Sequence, residues 1–309
     1  GKYLPSYHVH LVNDFTKDTK IFTEQKQHEV LLLENIRFYP GEKANDPEFA
    51  KQLAALADVY VNDGFGVCHR KDASIVSVPK FLPHYAGLLI EKEINMLDKV
   101  IHDPKKPLVA ILGGSKVSTK IELITKLLQL ADIVLIGGGM ANTFLAAQRF
   151  SLGKSFYEPD AISMAKQLLT MTYGKKTKLV LPQDAIVQGK TIHETSVKAV
   201  RSDEAIMDIG SETQAIFGQH IATAKTIIWN GPVGKFEDPA FSRGTEFIYY
   251  AITQTTDAVS VVGGGDTLAA MKNRDYRDNI THISTGGGAM LEYIEKGTLP
   301  GLQALEKEN

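Results

Sequence analysis

The sequence predicts an α/β fold built on a mainly parallel sheet. Three short apolar runs, PLVAIL, DIVLI and AVSVV, are rich in β-branched residues and suit strands that are buried on both faces of such a sheet. Each run ends at a cluster of glycines. Segments with apolar residues at helical spacing lie between the runs, so strand and helix alternate along most of the chain, which is typical of an α/β protein.

The predicted elements follow the chain in order. Strands are predicted at 9–12, 29–33 and 58–62, and a helix at 46–57. A helix at 87–102 ends before the segment DPKKP, whose prolines indicate a domain boundary. Beyond it the alternation resumes, with strands at 108–112, 133–136, 178–181, 226–229, 258–262 and 282–284, and helices at 117–130, 140–148, 159–173, 212–222, 239–253 and 267–273. The stretch 174–209 is the least regular, and a strand pair with turns is predicted there.

Composition limits the class of protein. At 309 residues the chain is longer than one typical domain, so two domains are expected. A formal net charge of −2 argues against a partner that is nucleic acid or a membrane surface. The single cysteine, Cys68, excludes an internal disulfide framework, and no signal peptide or membrane span is evident, so a cytoplasmic protein is expected. The chain opens on Gly1 without an initiator methionine, as a fragment would.

Four glycine clusters carry the strongest functional signal. They are GGSK at 113–116, GGG at 137–139, GGGD at 263–266 and GGG at 286–288. Glycine lets backbone amides approach a ligand closely, and a helix that follows points its positive end at the same place. Four such clusters on one sheet predict a surface that binds a polyphosphate.

Two lysines follow the first cluster. Lys116 and Lys120 are four residues apart, so a helix that begins here would put both ammonium groups on one face. Cations oppose the macrodipole at a helix N-terminus, which makes sense if an anion lies between them. Two solvated lysines are the alternative. The Walker A spacing and the GxGxxG fingerprint are both absent, and the second absence argues against an oxidoreductase.

The last two clusters each allow two interpretations. Asp266 and Thr267 stand at a predicted helix start, where Asp266 is either an N-cap or a ligand of Mg²⁺ beside a polyphosphate. The segment STGGG at 284–288 is either an anion nest or a tight strand-to-helix turn. Taken alone, the turn is the better interpretation of STGGG.

The segment WNGPVGKFE follows another buried strand. Pro232 and Val233 could form an apolar wall for a base, and Glu237 could accept hydrogen bonds from ribose hydroxyls. Read without further information, the segment is only a loop with one acidic group.

Two arginines lie just beyond strands of the first domain. Arg37 and Arg70 could each clamp a phosphate or carboxylate, or each could pair with a neighbouring acid on the surface. His69 is more typical of a structural histidine than of a general base. Cys68 lacks an evident catalytic partner and is interpreted as a small apolar filler.

In combination, these motifs resemble those of the phosphoglycerate kinases. The resemblance runs from about residue 29 to the C-terminus and rests on LLLENIRF, DGFGVCHR, GGSKVSTK, LIGGGMANTF, WNGPVGKFE, VVGGGDT, STGGGAMLE and LPGL. It implies a hinge-bending monomer with two Rossmann-like lobes. It also implies reversible phosphoryl transfer in glycolysis, in which 1,3-bisphosphoglycerate and Mg-ADP give 3-phosphoglycerate and Mg-ATP.

The resemblance divides the chain into four parts. These are a partial N-terminal 3-phosphoglycerate-binding lobe at 1–87, an interdomain helix and linker at 88–106, a nucleotide-binding lobe at 107–285, and a C-terminal segment near the hinge at 286–309. The family's DFNVP and SHLGRP segments, which supply further residues to the acid site, are absent, so the N-terminal lobe is apparently incomplete. Two interpretations stay open: part of an ordinary phosphoglycerate kinase, or a truncated nucleotide-binding module without kinase turnover.

The resemblance also implies roles for single residues. Lys116 resembles the lysine that escorts the transferring phosphoryl group, and Gly286 and Gly287 resemble the amides that stabilise it. Asp266 resembles the magnesium ligand. The other implied nucleotide contacts are Lys120 and Thr267 at the phosphates, Gly137, Gly138, Pro232 and Val233 at the adenine, Glu237 at the ribose, and Gly113, Gly264 and Gly265 in the loops.

The acid substrate is assigned in the same way. Arg37 and Arg70 resemble two basic residues that hold the phosphate of phosphoglycerate, with Arg37 near the reaction centre. The acceptor is a carboxylate that is already ionised, so the reaction needs positioning and charge neutralisation rather than a general base. The sequence departs from the family at Ser115 and Thr119, where alanine and aspartate are common, and at Lys235, where an apolar residue is common.

Overall fold

The computed structural model describes residues 3–306, except for the side chain of Arg274. The chain divides into two compact units, the first formed by Gly1–Glu91 with Thr298–Asn309 and the second by Lys92–Gly297. No helix within residues 3–306 is both long and apolar enough to cross a membrane.

The first unit contains two pairs of parallel strands. β1 (His8–Val12) pairs with β2 (Glu29–Leu33), and β3 (Tyr60–Asn62) pairs with β4 (His84–Ala86). The helices before β4 are α1 (Lys20–Thr23), α2 (Pro40–Ala44), α3 (Pro47–Ala54) and α4 (Ala73–Val76). Short 3₁₀ turns occupy Ile36–Phe38, Phe65–Val67 and Val78–Phe81. The boundary between the two units falls inside α5 (Leu88–Ile101).

Aromatic packing forms the core of the first unit. The rings of Phe15 and Phe49 meet edge to face with centroids 5.8 Å apart, and Tyr39 packs against both. Asp46 sets the position of α3, because its side chain accepts hydrogen bonds from the amides of Glu48 and Phe49. The predicted helix at 46–57 is therefore confirmed, with Asp46 as its N-cap.

The second unit is a larger α/β layer structure. Its strands are β5 (Leu108–Leu112), β6 (Ile133–Ile136), β7 (Lys178–Val180), β8 (Asp184–Gln188), β9 (Ile192–Ser196), β10 (Ala205–Ile209), β11 (Thr226–Asn230), β12 (Val259–Gly263) and β13 (His282–Ile283). Its helices are α6 (Ile121–Leu130), α7 (Gly138–Ala147), α8 (Ile162–Thr170), α9 (Ser211–Ala222), α10 (Arg243–Gln254), α11 (Gly265–Ala270) and α12 (Gly287–Lys296). Further 3₁₀ turns lie at Pro159–Ala161, Pro239–Phe241 and Arg274–Asn279, and α13 (Pro300–Gln303) returns to the first unit.

Six parallel strands form the central sheet, in the order β13-β12-β11-β5-β6-β7. Every residue of β5 and β11 is buried, which confirms that these apolar runs have both faces covered. Trp229 and Phe217 are the largest fully buried side chains of the core cluster beside them. From β5 the chain proceeds through β6 and β7 to one edge of the sheet. From β11 it proceeds through β12 and β13 to the opposite edge. The order reverses between β5 and β11, and ligands of open α/β sheets bind at the carboxyl ends of such strands.

Three sequence predictions need correction. The helix predicted at 117–130 begins only at Ile121, so Lys116 and Lys120 do not share a helical face. The helix predicted at 267–273 spans Gly265–Ala270. The stretch 174–209 contains the edge strand β7 and a separate three-stranded antiparallel sheet, in the order β10-β8-β9, rather than one strand pair.

Candidate functional site

Three loops are joined at the carboxyl ends of β5, β6 and β11. The amide of Gly113 donates to the carbonyl oxygen of Asn230 at 2.9 Å, and the amide of Gly114 donates to that of Pro232 at 2.9 Å. The amide of Gly138 donates to the carbonyl oxygen of Val233, also at 2.9 Å. The loops therefore continue the pairing of the sheet beyond the ends of its strands.

Glycine is needed at these positions because one backbone lies against another. A Cβ atom on Gly113 would overlap the carbonyl oxygen of Pro232, and one on Gly137 would lie 2.5 Å from Cγ1 of Val233. Gly138 also has a positive φ of +67°, which disfavours other residues. The amides of Gly113 and Gly114 are both used in hydrogen bonds between the loops.

The two lysines of the first loop have different environments. The Nζ atom of Lys120 donates to the carbonyl oxygen of Gly113 at 3.0 Å and to Oδ1 of Asn230 at 2.7 Å. Burial lowers the pKa of Lys120 to about 8, although the charge of Asp266 opposes this shift. Lys116 is exposed and precedes α6, and no ion pair of its side chain occurs within residues 3–306. Lys120 is thus fixed by hydrogen bonds, whereas the side chain of Lys116 is exposed.

Asn230 is a site residue that the sequence did not single out. It is buried, and while its Oδ1 atom accepts from Lys120, its Nδ2 atom donates to the carbonyl oxygen of Gly263 at 2.7 Å. Together with the backbone bond to Gly113, it connects two of the glycine clusters, 113–116 and 263–266, to the end of β11. A polar residue directly after a buried strand was the available signal.

Glu158 explains why α6 starts late. Its carboxylate accepts hydrogen bonds from the amides of Val117 and Ser118, the latter at 3.0 Å, and from the hydroxyl of Ser118. Burial alone raises the pKa of Glu158, but these hydrogen bonds and the charge of Lys116 outweigh it and hold the pKa below its usual value. The segment after Gly114 is therefore held as a loop by an acid about forty residues further along the chain.

A cavity of about 460 Å³ opens beside these loops. Five of the residues predicted to bind nucleotide line it, namely Gly138, Pro232, Val233, Glu237 and Asp266. Its apolar walls include Leu145, Pro182 and Ile206, and the exposed ring of Phe156 lies at its edge. Two exposed lysines, Lys154 and Lys235, also face it. An apolar cleft with acidic and basic groups toward its edges suits a ligand with a flat ring and a charged tail.

The two remaining glycine clusters are in mutual contact. A Cβ atom on Gly287 would overlap the Cα atom of Gly264, so these backbones approach closely. Gly265 has open space around it, and the neighbouring Asp266 is exposed at the first turn of α11. The buried amide of Gly286 donates to Oγ of Ser284 at 3.3 Å. Gly265 and Gly288 are exposed, whereas Gly287 is partly covered by the backbone of Gly264.

Thr267 has a structural task. Its side chain is fully buried, and Oγ1 accepts from the amide of Gly231 at 2.7 Å and donates to the carbonyl oxygen of Gly263 at 3.0 Å. The hydroxyl is therefore satisfied within the protein. If Thr267 contacts a phosphate as predicted, its backbone amide would make that contact.

A buried acid fixes the last glycine cluster. Glu93 on α5 accepts hydrogen bonds from Nε2 of His282 and from both the amide and the hydroxyl of Thr285, each at 2.7 Å. Burial by itself raises the pKa of Glu93, but these hydrogen bonds outweigh it and keep the pKa below its usual value. The sequence did not single out Glu93, because nothing in its own neighbourhood indicates a partner in β13.

The two arginines of the first unit have different partners. Arg37 forms an ion pair with Asp72 in which NH2 and Oδ2 are 2.7 Å apart. Arg70 is half-buried, and no ion pair of its guanidinium occurs within residues 3–306. The bond to Asp72 puts Arg37 beside the segment that carries Arg70. Cys68 is fully buried, and burial raises its pKa to about 11, which agrees with its interpretation as a filler.

Fold and cavity together define a nucleotide-binding α/β protein. The cavity lies where the strand order reverses. It is lined by glycine loops, by apolar side chains and by both acidic and basic side chains.

The comparisons with known proteins identify the family. The sequence model of phosphoglycerate kinase matches residues 1–297. The chain is 48% identical over 290 residues to the phosphoglycerate kinase of Dictyoglomus turgidum, which covers 92% of this chain and 73% of that protein. It is 46% identical over 307 residues to that of Moorella thermoacetica, covering 97% of this chain and 78% of the relative.

Solved structures agree. The phosphoglycerate kinase of Coxiella burnetii superposes with a TM-score of 0.86 at 40% identity, over 96% of this chain and 77% of that one. That of Pyrococcus horikoshii OT3 gives a TM-score of 0.83 at 32% identity, over 97% of this chain and 78% of that one. The chain belongs to the phosphoglycerate kinase family, and its predicted α/β class with Rossmann-like lobes is confirmed.

Family membership fixes the type of reaction. The enzymes of this family are kinases with a carboxyl group as acceptor, and they transfer a phosphoryl group reversibly between 1,3-bisphosphoglycerate with ADP and 3-phosphoglycerate with ATP in glycolysis. The predicted function is confirmed at this level.

Proposed function

We propose that the cavity of the second unit binds ATP or ADP, with the base against Gly137, Gly138, Pro232 and Val233 and the ribose near Glu237. The observation that carries this proposal is the cavity of about 460 Å³ bounded by Val233, Glu237 and Asp266. The side chain of Val233 is buried and packs against the backbone of Gly137, so these two residues form a flat apolar wall of the cleft. Glu237 is exposed at the same cavity, where its carboxylate can accept from hydroxyl groups.

The phosphates belong at the other end of the cavity in this proposal. Gly114, Ser115 and Asp266 also line the cavity, and Asn230 holds the neighbouring Lys120 by a hydrogen bond. Lys116 has an exposed ammonium group, which suits a residue that accompanies the transferring phosphoryl group. The amides of Gly286 and Gly287 are proposed to stabilise the transferring phosphoryl group in the transition state, and that of Gly286 donates to Oγ of Ser284 at 3.3 Å in this structure.

Asp266 is proposed to hold Mg²⁺. Within residues 3–306 no group of three or more histidine, cysteine or acidic side chains is arranged to hold a metal. An exposed carboxylate at the edge of the cavity fits an ion that takes few protein ligands and completes its shell with phosphate oxygens and water. When bound, Mg²⁺ neutralises the charge of the phosphates. Gly265, which has open space around it, leaves room beside Asp266, whereas Gly264 is packed against Asn230.

The acid substrate is proposed to bind the first unit. Arg70, which has no ion pair within the described residues, supplies an uncompensated positive charge, and Arg37 lies beside its segment through the bond to Asp72. A guanidinium binds phosphate through two parallel hydrogen bonds, so both arginines can hold the phosphate of 3-phosphoglycerate. Arg37 would have to exchange or share its bond to Asp72 on binding.

We further propose that the chain is divided after residues 87, 106 and 285. In this division residues 1–87 bind 3-phosphoglycerate and residues 107–285 bind the nucleotide. We also propose a monomer that works in the cytoplasm. The net charge of −2 and the single, buried cysteine support the choice of compartment.

One pair of measurements tests the proposal. Mg-ADP binding to the purified chain is measured by calorimetry, and turnover is measured in a coupled assay with ATP and 3-phosphoglycerate. We expect saturable binding, and its absence would refute the nucleotide site. Binding with turnover supports a kinase, whereas binding without turnover supports the alternative of a nucleotide-binding module. Lys175→Ala, an exposed substitution outside the cavity, serves as the control.

A further inference from the structure

Asp208 is a buried acid that the proposed roles do not use. The residue is 2% exposed and is the second-to-last residue of β10. Its carboxylate accepts hydrogen bonds from the amide of Gly244 at 2.7 Å and from the amide of Ile209 at 2.9 Å. No ion pair of Asp208 occurs within residues 3–306. A carboxylate that is buried without a cation is costly, so its position requires an explanation.

The carboxylate lies between α10 and the loop that forms the wall of the cavity. A Cβ atom on Gly234 would overlap Oδ1 of Asp208, and so would one on Gly244, so both backbones are packed directly on the acid. The same loop is held to β10 by the bond from the amide of Lys235 to the carbonyl oxygen of Met207, at 2.8 Å. Asp208 itself lines the cavity.

This arrangement connects the acid to the proposed base and ribose contacts. Gly234 directly follows Val233 and stands three residues before Glu237. Val233 is in turn attached to α10, because its amide donates to Oγ1 of Thr245 at 3.1 Å. The loop at 231–237 is therefore bonded to α10 through Thr245, and it also packs on the carboxylate of Asp208, which is itself bonded to α10 at Gly244.

Burial raises the pKa of Asp208 to about 7, against the two amide hydrogen bonds that lower it, and the charge of Glu246 adds to the rise. The charged side chains on the surrounding elements are Arg243 and Glu246 on α10, Lys235 and Glu237 on the loop, Lys154 on the facing wall and Asp184 on β8. All of these except Asp184 are exposed, and Asp184 is occupied with the amides of α9.

We propose that Asp208 is a positioning residue of the nucleotide site: its ionised carboxylate holds the N-terminus of α10 to β10, and the 231–237 loop, which packs on the carboxylate and is bonded to α10, is thereby kept in the form that accepts the base and ribose. When the carboxylate takes up a proton, one of its oxygens becomes a donor, and the amides of Gly244 and Ile209 lose their charged acceptor. The loop is then held less firmly, and nucleoside binding weakens. This inference rests on the proposed nucleotide site.

The test uses adenosine and Mg-ADP on the intact chain. Adenosine carries no group that titrates near neutral pH, so any pH dependence of its affinity, followed by NMR titration, belongs to the protein. We expect its affinity to rise about tenfold as the pH increases through about 7. Asp208→Asn should weaken adenosine binding by a similar factor at high pH and abolish the pH dependence. In a competent enzyme it should raise KM for nucleotide more than it lowers kcat.

Two further variants complete the design. Asp203→Asn removes an exposed acid of the neighbouring turn and should leave both affinity and pH profile unchanged. Glu246→Gln removes the charge that raises the pKa of Asp208, so the midpoint should move to lower pH even if Asp208→Asn does not fold. A pH-independent affinity of the wild type, or a profile that Glu246→Gln leaves in place, overturns the inference. Failure of the wild type to bind adenosine or Mg-ADP at any pH overturns the proposed nucleotide site instead.

Discussion

The ammonium nitrogen of Lys120 lies 2.7 Å from Oδ1 of Asn230, and both of its protein acceptors are uncharged. A carboxylate in the place of Asn230 would neutralise the lysine and fix its proton. With an amide there, the lysine keeps a pKa of about 8 and a charge that is not compensated within the loop. Such a group responds strongly to an anion that binds next to it.

The first prediction is that nucleotide binding takes up a proton above about pH 8. A polyphosphate stabilises the charged form of Lys120 and raises its pKa, so the free protein must gain the missing part of a proton when the complex forms. Calorimetric titrations with Mg-ADP in two buffers of different ionisation enthalpy measure this uptake. Lys120→Arg, whose guanidinium is always charged, should abolish it. Equal uptake in both proteins would show that another group is responsible.

The second prediction concerns Asn230. Replacement by alanine removes one hydrogen-bond partner from the carbonyl oxygen of Gly263, which keeps Thr267, and one from the ammonium of Lys120, which keeps the carbonyl oxygen of Gly113. We expect the free energy of unfolding to fall by about 1–3 kcal/mol and nucleotide affinity to fall by about tenfold. Denaturant unfolding and calorimetry measure the two effects. Thr119→Ala, on the exposed part of the same loop, should change neither by more than a small amount; if Asn230→Ala behaves like this control, the connecting role is wrong.

The third prediction separates binding from transfer at Lys116. Because this side chain is exposed, Lys116→Ala should leave the free energy of unfolding within about 0.5 kcal/mol of the wild type. In a competent enzyme kcat should fall about 10²- to 10³-fold, since a charge aimed at the transferring group is lost. Mg-ADP should still bind measurably. An unchanged kcat would remove Lys116 from the reaction.

The fourth prediction is a pH-dependent contribution of Glu93 to stability. The pKa of Glu93 in the folded protein is below its ordinary value of 4.5, so its contribution is present above about pH 4.5 and is lost as the pH falls through the folded pKa. Glu93→Gln should lower the free energy of unfolding by about 2–3 kcal/mol at neutral pH. The difference from the wild type should shrink in acid. The exposed neighbour Glu91 provides the control as Glu91→Gln, and a constant difference at all pH values would contradict the assignment.

Much of the second unit could be predicted because the residues of each strand themselves show the apolar pattern of a buried strand. The run at Leu108–Leu112 is continuously apolar and ends at glycines, and it became a central strand with every residue buried. The glycine clusters were correctly assigned to the ends of parallel strands. The close contact at Gly113 could not be predicted, because the overlap that a side chain there would cause with Pro232 depends on a loop more than a hundred residues away.

What the sequence missed depends on distant partners in the same way. The start of α6 could not be located from its own residues, since Glu158 satisfies the amides of Val117 and Ser118. Glu93 and His282 are 189 residues apart in the chain, and neither has a local pattern that indicates a buried bond. The candidate site residues that belong to motifs could be predicted from the sequence. The side chains that support them, Asn230, Glu158 and Glu93, could be found only from the fold.

The backbone bonds from Gly113, Gly114 and Gly138 to the loop after β11 have a consequence for hydrogen exchange. Loops usually open independently of the sheet that carries them, and their amides exchange quickly. These three amides are paired as if they belonged to the sheet, so they should exchange only when β5, β6 and β11 separate. The rim of the cavity is then among the last parts of the second unit to open, and the protein keeps the shape of its binding cleft as long as it keeps its central sheet.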